Sequence, residues 1–565
     1  CRSGRARTVL AGGVDALCRL TYHGFRLLQL CDPAGARPLD CCRKGMSVAE
    51  GAALLLLQAA AGPPPGALAE LRGGGLSCDA YHPTKPQPEG EGAKEAMARA
   101  LADGDAGPQA VGYVNLHGTG TPDNDAAEAK AVRALFAPLP PVSSTKGLTG
   151  HTLAAAGALE AVISVLALQD GLLWPNVGLG EPDPALALEP VLTPVRSARP
   201  LDLVLSNSFG FGGNNAALLL GRPELPPPRT AQRQSPGELR VLRSACFTGA
   251  GDLASTLAAL RAGQSCSGLV PAEALQQRLP PALTRRLKRL PRLVLALAEE
   301  VRRTEQPRSV FCGTAWGALS ETYDFLDKLH ASQDQFSSPT DFVGSVHNAP
   351  AAQVAMRFAA RGANVTATSR ATSFEQAVLL ASLLAGADDE PLLLLAADEA
   401  HGVLGPLFDP RAAAAGPPAD GGGALLCAGP GSPAGVRLRP AWLGPGAGEV
   451  ELAPLLDALG GAQSIARRFA ALLVGFPEDQ RDVAEAQLAA LLATSGFGGA
   501  VVRYRPLLGR YGTAAAAAAA AAVSWVEQGA LPAATAGGTG EIALQGRGLL
   551  LLTLGEQLAA IEVGG

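Results

Sequence analysis

The sequence lacks several features that would assign it to a membrane, metal or nucleic-acid class. None of its apolar runs approaches the roughly 20 residues that a bilayer-spanning helix needs. Its ten cysteines have no C-x-x-C spacing, which argues against a zinc site and favours reduced thiols over a disulfide framework. Its 46 basic and 51 acidic residues give a net charge of −5, so there is no basic field for nucleic acid. We therefore expect a cytoplasmic protein that binds neither nucleic acid nor membrane and holds no metal.

Histidine is also scarce, with seven in 565 residues, and aromatic residues make up only 4% of the chain. Hydrophobic residues nevertheless reach 47%, which is enough for a large core and two to four domains. The first residues contain neither an initiator methionine nor a secretory apolar region. We therefore expect the chain to begin inside a longer protein.

A segment rich in proline and polar residues, GRPELPPPRTAQRQSPGE from residue 221, separates two regions of similar pattern. Before it, strand-like runs such as VGYVNLH and LDLVLSNSF alternate with helical runs such as NDAAEAKAVRALF, which is typical of an α/β domain with buried strands. Similar strands, such as RSVFCGTAWGA and PLLLLAADEA, follow it. The sequence predicts domains at 1–222 and 239–565, joined by a linker at 223–238.

The two regions share an internal similarity. GTPDNDAAEA near residue 120 matches GFPEDQRDVAEA near residue 475, and an alanine-rich helix follows each of them. The first alanine-rich helix comes after a lysine and a histidine, whereas the second, in YRPLLGRYGTAAAAAAAAAVSW, has lost both. We interpret the chain as two similar units, the second degraded at its polar positions.

His117 is the first candidate for chemistry. It ends an apolar strand and is followed by Gly-Thr-Gly-Thr, so that the backbone can approach a ligand while the hydroxyls of Thr119 and Thr121 hydrogen-bond it. The alternative is a structural hydrogen bond, which is the commoner role of a lone histidine at a strand end.

Three further features accompany His117. We expect His151 in the first turn of the alanine-rich helix, where the helix dipole favours a neutral ring that can donate to an oxyanion; the alternative is a helix cap. Lys146 either pairs with Glu160 or is an ordinary surface lysine. Phe209 and Phe211, set between glycines, form either a movable apolar gate or a tight turn whose rings fill the core.

The motifs HGTGTPDND, SSTKGLTGHTLAAAGALEA and NSFGFGGNN, in this order, resemble the C-terminal half of elongating β-ketoacyl-acyl-carrier-protein synthases. The resemblance covers essentially all of residues 1–222. It implies a thiolase-like fold of five αβαβα layers. In that family a cysteine takes an acyl chain from acyl carrier protein, and two histidines promote decarboxylation of malonyl carrier protein and the condensation. No cofactor is implied, because the substrates are carried on the phosphopantetheine of the carrier protein.

The resemblance also implies roles for eight residues: catalytic for His117, His151 and the lysine that supports them, Lys146; supporting for its partner Glu160; phosphopantetheine-binding for Thr119 and Thr121; and gating for Phe209 and Phe211. In the family the nucleophilic cysteine lies upstream of RSGRARTVLAGG, before the first residue of this chain. Cys1 is therefore not expected to be the nucleophile.

Residues from about 239 onward resemble a ketosynthase-like partner subunit of the chain-length-factor kind, found with polyketide and aryl-polyene synthases. Arg370 stands near the cysteine position, Leu472 near the first histidine, and Arg510 or Tyr511 near the second. LQGRGLLLL replaces the Phe-Gly loop. We expect no catalytic residue in this half.

The expected function is that of a β-ketoacyl-acyl-carrier-protein synthase in fatty-acid or polyketide biosynthesis. The expected partners are acyl carrier protein and either a ketosynthase-like subunit or the second half of the same chain, in an internal pseudo-dimer. One alternative is a non-catalytic module that binds carrier protein and sets chain length. Another is a fragment without function.

Overall fold

The computed structural model describes residues 1, 4–60, 62, 64–197, 200–226, 228, 237–302, 304–385, 390–446 and 452–564. The chain divides into two compact units. Unit 1 comprises Cys1–Ser235, Phe325–Val343 and Arg361–Ala363, and unit 2 comprises Pro236–Asp324, Gly344–Ala360 and Asn364–Gly565. Much of the predicted linker, residues 227 and 229–236, lies outside the described residues. The predicted domain boundaries therefore stay a prediction.

Unit 1 is an α/β unit. Its strands are β1 (Thr8–Asp15), β2 (Gly51–Gln58), β3 (Glu70–Cys78), β4 (Val111–Asn115), β5 (Val142–Ser143), β6 (Leu172–Leu173), β7 (Val195–Arg196), β8 (Leu203–Gly210) and β9 (Asn214–Gly221). Its helices before the linker are α1 (Arg19–Leu27), α2 (Glu91–Asp103), α3 (Pro122–Leu135), α4 (Lys146–Thr149) and α5 (Ala156–Asp170). Five strands form one sheet in the order β3-β9-β8-β4-β5, in which β4 runs parallel to both of its neighbours.

Both faces of this sheet are covered by helices, and successive residues of one strand belong to different cores. On β4, Val114 packs with α2 and α3, whereas Tyr113 packs with α5. On β8, Leu205 belongs to the core with α2 and α3, and Val204 belongs to the core with α5. Since side chains alternate across a strand, a strand buried on both faces is largely apolar at successive positions, which explains the continuous apolar runs of the sequence.

Unit 2 is also an α/β unit. Its strands are β10 (Leu239–Phe247), β11 (Ser309–Gly313), β12 (Asn364–Ala367), β13 (Leu392–Asp398), β14 (Gly421–Ala428), β15 (Val436–Pro445), β16 (Phe469–Gly475), β17 (Ala500–Arg503), β18 (Ala530–Pro532), β19 (Glu541–Ala543), β20 (Gly548–Thr553) and β21 (Gln557–Val563).

The helices after the linker are α6 (Leu253–Arg261), α7 (Ala272–Gln276), α8 (Pro281–Arg286), α9 (Arg289–Arg302), α10 (Leu319–Ala331), α11 (Pro339–Ser345), α12 (Ala349–Phe358), α13 (Ser373–Leu384), α14 (Leu404–Phe408), α15 (Pro410–Ala414), α16 (Ala453–Ala458), α17 (Ala462–Arg468), α18 (Arg481–Ser495), α19 (Tyr504–Leu508) and α20 (Ala514–Gln528). The segment Phe325–Val343, which includes the second half of α10 and most of α11, belongs to unit 1.

The layers of unit 2 follow from its ten-stranded sheet, whose order is β12-β11-β13-β14-β10-β15-β21-β20-β16-β17. Helices α13 and α20 contact strands from both halves of this sheet. Helices α9 and α12 contact only the half that ends in β10, whereas α16 and α17 contact only the half that begins with β15. Unit 2 therefore has the predicted five-layer αβαβα arrangement, with α13 and α20 in the middle layer.

Alanine builds the middle layer because it is both small and a strong helix former. Residues Ala514–Ala522 of α20 are all buried. The helix lies so close to β14 that a Cβ atom on Gly423 would meet the carbonyl oxygen of Ala516 at 2.2 Å. Residues with larger side chains on this face would force the two layers apart.

One helical stretch, Leu153–Asp170, has the length and composition of a membrane span, which differs from our expectation. Such a stretch is weak evidence for a membrane, since the core helices of globular proteins also meet this criterion. Helix α5, which forms most of it, packs against β2, β8 and β9 and buries the carboxylate of Glu160. In this structure the stretch forms part of the core of unit 1.

Candidate active site

The position of His117 is set by a buried carboxylate that the sequence analysis missed. The backbone N–H groups of His117 and Gly118 each donate to one oxygen of Glu128 on α3, both at 2.8 Å. Asn207 on β8 donates to the same carboxylate at 3.0 Å. Burial raises the pKa of Glu128 to about 7, against the effect of these bonds. The sequence signal that could have identified Glu128 is an acidic residue on an otherwise apolar helix face, in AAEAKAVRAL.

Lys146 is a buried cation at the centre of the site, and its side chain is only 1% exposed. Its ammonium group donates to the carbonyl oxygen of His117 at 2.6 Å and to Glu160, and it lies 3.3 Å from Nδ1 of His117. Three donors thus meet three acceptors, so Nδ1 of His117 accepts and the ring proton lies on Nε2. The structure brings Lys146 and Glu160 together, and the surface-lysine alternative is wrong.

His151 does not lie in the first turn of the alanine-rich helix, and that prediction is wrong. It precedes a 3-10 turn at Leu153–Ala155, and α5 begins only at Ala156. Helical geometry is interrupted because Gly150 and Leu153 both have positive φ, of 68° and 49°. The Leu153 N–H donates to Nδ1 of His151 at 3.2 Å. His151 therefore caps this turn, and its ring proton also lies on Nε2.

The two histidines form a pair, with ring centroids 5.2 Å apart and ring planes at 80°. Burial and the charge of Lys146 lower both pKa values well below 6.5, and His151 lowers that of His117 further. Both rings are therefore neutral at pH 7, and each keeps an Nε2–H for donation. Burial is the first cause of this neutrality, rather than the helix dipole that we expected.

Thr119 and Thr121 lie in the loop after His117. Their hydroxyl oxygens are 2.8 Å apart, and the Thr121 N–H donates to Thr119 Oγ1 at 3.2 Å. Gly120, between them, has a φ of 80°, and a Cβ atom there would approach the carbonyl oxygen of Gly45 at 2.8 Å. The two hydroxyls thus form a close pair, and their contact with phosphopantetheine stays a prediction.

The Phe-Gly loop joins β8 to β9. The ring centroid of Phe209 lies 5.7 Å from that of His117, and that of Phe211 lies 5.5 Å from that of Phe25. Gly212 donates to the carbonyl oxygen of Pro83 at 2.7 Å, and Gly213 accepts from Asp79 at 2.8 Å. The loop is thus a hydrogen-bonded turn whose rings contact other rings, and its movement as a gate stays a prediction.

Arg370 occupies an elbow in unit 2. It follows β12 and begins the 3-10 turn that leads into α13. Its φ of 48° is rare for a residue other than glycine and is typical of a strained strand-to-helix turn. Arg510 lies between α19 and α20, as His151 lies between α4 and α5, but it pairs with Glu478 at 2.9 Å.

Two of the assignments in the second half need correction. Leu472 lies inside β16, whereas His117 lies beyond the end of β4, so the equivalent position falls after Gly475. The run LQGRGLLLL leads into β20 and forms most of it, and the turn that corresponds to the Phe-Gly loop is Leu554–Glu556. A sequence match without gaps missed both positions because strand lengths differ between the two units.

The ten cysteines are free thiols that differ in exposure. Five are buried, and Cys18, Cys41 and Cys42 are exposed. In the described part of the chain, Asp40, Cys41 and Cys42 form the one group whose potential metal-ligand atoms lie within 4.8 Å of one another. The Asp40 carboxylate already accepts backbone N–H groups from Cys42, Gly180 and Glu181, which gives it a structural role. The expected absence of a metal stays a prediction.

The fold can now be compared with solved structures. A structure described as PfaC Keto synthase-Chain length factor matches with a TM-score of 0.81 at 17% identity, over 100% of this chain and 70% of that one. This match shows that the chain has the thiolase-like ketosynthase fold with two ketosynthase-like units, as the sequence analysis predicted.

Two regions of the sequence are similar to known protein domains. Residues 68–180 match the model "Beta-ketoacyl synthase, C-terminal domain", and residues 264–415 match "Beta-ketoacyl synthase, N-terminal domain". The chain is 42% identical over 230 residues to 3-oxoacyl-[acyl-carrier-protein] synthase 2 of Coxiella burnetii, covering 38% of this chain and 55% of that protein. The protein of the same name from Synechocystis is 39% identical over 230 residues, which cover 38% of this chain and 55% of that protein. Two regions of the chain thus match β-ketoacyl synthase domains, and the chain spans about half the length of these curated relatives.

Proposed function

We propose that unit 1 supplies the histidine pair of a β-ketoacyl-acyl-carrier-protein synthase. The observation that supports this is the pair of neutral rings, His117 and His151, each with an unused Nε2–H beside the other. The donor pair suits a reaction in which negative charge develops on a carbonyl oxygen. Both residues and Lys146 lie within the range that matches the C-terminal synthase domain.

The proposed reaction is the decarboxylative condensation of a malonyl thioester with an acyl thioester. The C–C bond to the carboxylate breaks, carbon dioxide leaves, and the electron pair passes to the thioester carbonyl as an enolate. The Nε2–H groups of His117 and His151 stabilise the enolate oxygen. Its carbon attacks the acyl thioester, whose sulfur leaves as a thiolate.

In this proposal both substrates are carried on the phosphopantetheine of an acyl carrier protein. Thr119 and Thr121 contact that arm, and Phe209 gates the cavity from its place beside His117. Lys146 is a positioning residue, because its bond to Nδ1 keeps the proton of His117 on Nε2. None of these steps requires a metal or a redox cofactor.

Unit 2 serves in this proposal as a partner without catalytic groups. Arg370 stands at the elbow that would carry a nucleophile, and the positions that match the two histidines hold no histidine. The alternative function is that the chain only binds carrier protein and sets chain length. The observation that favours this alternative is that no thiol in the described part of the chain hydrogen-bonds to His117 or His151.

The test is malonyl decarboxylation by the purified protein. Replacing His151 by Ala removes one preorganised donor and should lower the rate by about 10²- to 10³-fold. Replacing Tyr511 by Phe removes a buried hydroxyl that has no hydrogen-bond partner, so it should change the rate little. Acetyl-carrier protein is quantified by mass spectrometry, and thermal melting confirms folding.

Each outcome separates the candidates. Equal losses in the His151 and Tyr511 variants would mean that the active half has been misassigned. No turnover in any folded protein, together with retained binding to carrier protein, would favour the non-catalytic alternative.

A further inference from the structure

A buried cation in unit 2 occupies the position that Lys146 occupies in unit 1. Helix α19 follows β17, which runs parallel to β16, just as α4 follows β5, which runs parallel to β4. Each short helix begins with a cation in its first two residues, Lys146 in α4 and Arg505 in α19. Arg505 is only 4% exposed. The cation has been kept although the histidines have not.

The partners of this cation have been lost. Lys146 is neutralised by Glu160, fourteen residues further on, in α5. The corresponding stretch of α20, Ala514–Ala522, contains only alanine. In the described part of the chain no carboxylate pairs with Arg505, and its Nε atom has no hydrogen-bond partner. Burying a charge without a partner raises the free energy of the folded state, so we expect an anion from outside the chain to bind here.

The acidic groups that act on Arg505 or line the space beside it do not fill this role, and one of them, Asp479, is exposed. Glu375 influences Arg505 through space, but its carboxyl accepts from Thr553, and burial raises its pKa to about 7. Asp409 caps α15 by accepting from the Ala412 N–H at 3.0 Å. Glu556 is exposed. The guanidinium of Arg505 therefore faces open space rather than a carboxylate.

That open space is a cavity of about 420 Å³ within unit 2, and Arg505 is part of its lining. Its size lies within the roughly 300–1,000 Å³ of small-molecule sites. Trp316 and Phe408 form an aromatic wall, with stacked rings 5.3 Å apart. Two exposed arginines, Arg370 and Arg411, also line the cavity, and the guanidinium of Arg370 lies 5.5 Å from the Trp316 ring.

We propose that this cavity binds a small organic oxyanion, a carboxylate or a phosphate monoester. Its charged end contacts the guanidinium of Arg505, which is a planar donor fork suited to either group. Its apolar body lies along Trp316 and Phe408, and Arg370 closes the exposed side. This ligand site lies in the half of the chain that has no proposed catalytic residue, so it is independent of the condensation reaction.

The experiment measures binding to the purified chain by calorimetry and thermal melting. Benzoate and phenyl phosphate carry both an anion and an apolar body, and comparing them distinguishes a carboxylate from a phosphate ligand. Acetate and inorganic phosphate carry the anion alone, and sodium chloride at equal ionic strength is the background. We expect at least one of the two aromatic anions to bind and to raise the melting temperature above the chloride background, and to bind more tightly than its counterpart without the ring.

Two variants test the assigned residues. Arg505→Met keeps the length of the side chain and should weaken binding at least about tenfold, because a charge-assisted hydrogen bond is lost. In chloride without the probes this variant should melt at or above the temperature of the unmodified protein. The matched control is Arg510→Met, whose guanidinium pairs with Glu478, and which should melt lower yet keep its response to the probe.

If Arg505→Met does not fold, Arg370→Ala tests whether the arginines of the cavity bind the anion. Arg370 is exposed, so its removal leaves the core intact and should still weaken binding. The proposal is overturned if no probe binds above the chloride background. It is equally overturned if binding is unchanged in Arg370→Ala and, where it folds, in Arg505→Met.

Discussion

At the scale of single residues, the structure shows how one cation determines the state of a histidine. Lys146 has three N–H donors, and its bonds to the carbonyl oxygen of His117 and to Glu160 fix its position beside Nδ1. The Nδ1 atom can then only accept, so the proton is held on Nε2. Arg505 has the same place in unit 2, but it has no histidine to orient and no glutamate to pair with.

The neutral state of His117 predicts a dependence of stability on pH. Its pKa in the folded protein lies well below 6.5, whereas the unfolded chain takes up a proton near 6.5. The unfolded state therefore binds more protons below this pH, and the free energy of unfolding falls as the pH falls. By pH 5 a single such histidine removes up to about 2 kcal/mol.

The measurement is denaturant unfolding of the chain and of His117→Gln at pH 7.5 and pH 5. We expect the variant to lose less stability than the unmodified protein over this interval. Glu128 and Glu375, whose raised pKa values act in the opposite direction, are present in both proteins and cancel in the difference. An equal loss in both proteins would show that His117 is not held neutral by the fold.

At the scale of the elements, small residues decide how closely the layers of unit 2 approach. Gly423 of β14 lies beneath Ala516 and Ala517 of α20, so backbone packs almost directly on backbone. Since α20 contacts β10, β14 and β20, its distance from the sheet fixes the spacing of the middle layer. The proposed anion cavity is lined by neighbouring parts of this layer, including the turn that precedes α13.

The contact between β14 and α20 predicts the effect of one methyl group. In Gly423→Ala the new Cβ would lie 2.2 Å from the Ala516 carbonyl oxygen and 2.8 Å from the Ala517 nitrogen. Relief requires a shift of the helix, and we expect a loss of about 1–3 kcal/mol or more in the free energy of unfolding. Urea denaturation measures it.

The matched control is Gly405→Ala in α14, where nothing lies within 4 Å of the new methyl group. Because alanine favours a helix over glycine by about 1 kcal/mol, this change should be neutral or stabilising. Similar losses in both variants would mean that the close approach of α20 does not limit stability.

At the scale of the whole molecule, the two units share a fold but differ in chemistry. Unit 1 has one five-stranded sheet with the histidine pair beside it, and unit 2 has a ten-stranded sheet with an arginine at its elbow. In the described residues the histidine pair lies in unit 1, and no thiol hydrogen-bonds to it. Burial raises the pKa values of the Cys246 and Cys312 thiols to about 12, which makes them poor nucleophiles.

This distribution predicts that no cysteine of the chain becomes acylated. We expect intact-mass analysis after incubation with an acyl carrier protein thioester to show no stoichiometric adduct. Brief iodoacetamide treatment serves as the control, because it should label the exposed thiols of Cys18, Cys41 and Cys42. A stoichiometric acyl adduct on any cysteine would overturn the site assignment.

Much of the fold could be predicted because the signals are local. The continuous apolar runs indicated strands buried on both faces, and the two alanine-rich helices indicated a repeated unit. The comparisons confirm the thiolase-like fold with two ketosynthase-like units, and residues 68–180 and 264–415 match β-ketoacyl synthase domains. The gapless match between the two halves placed Leu472 wrongly, because the lengths of β4 and β16 differ.

The sequence by itself determined which residue types meet in the site, because His117, Lys146, His151 and Glu160 lie in short motifs of fixed order. The pairing of Lys146 with Glu160 was one of the alternatives that the sequence offered, whereas the other partners were decided only by the tertiary structure. Glu128 on α3 accepts the backbone N–H group of His117, which follows β4. Asn207 on β8 donates to the same carboxylate and lies 79 residues from Glu128 along the chain. Leu153 turns the chain before α5 can begin, so that His151 is a cap. Among the described residues Arg505 has no carboxylate partner, because the stretch of α20 that corresponds to the position of Glu160 contains only alanine. Such pairings depend on how separate elements pack, which no local pattern encodes.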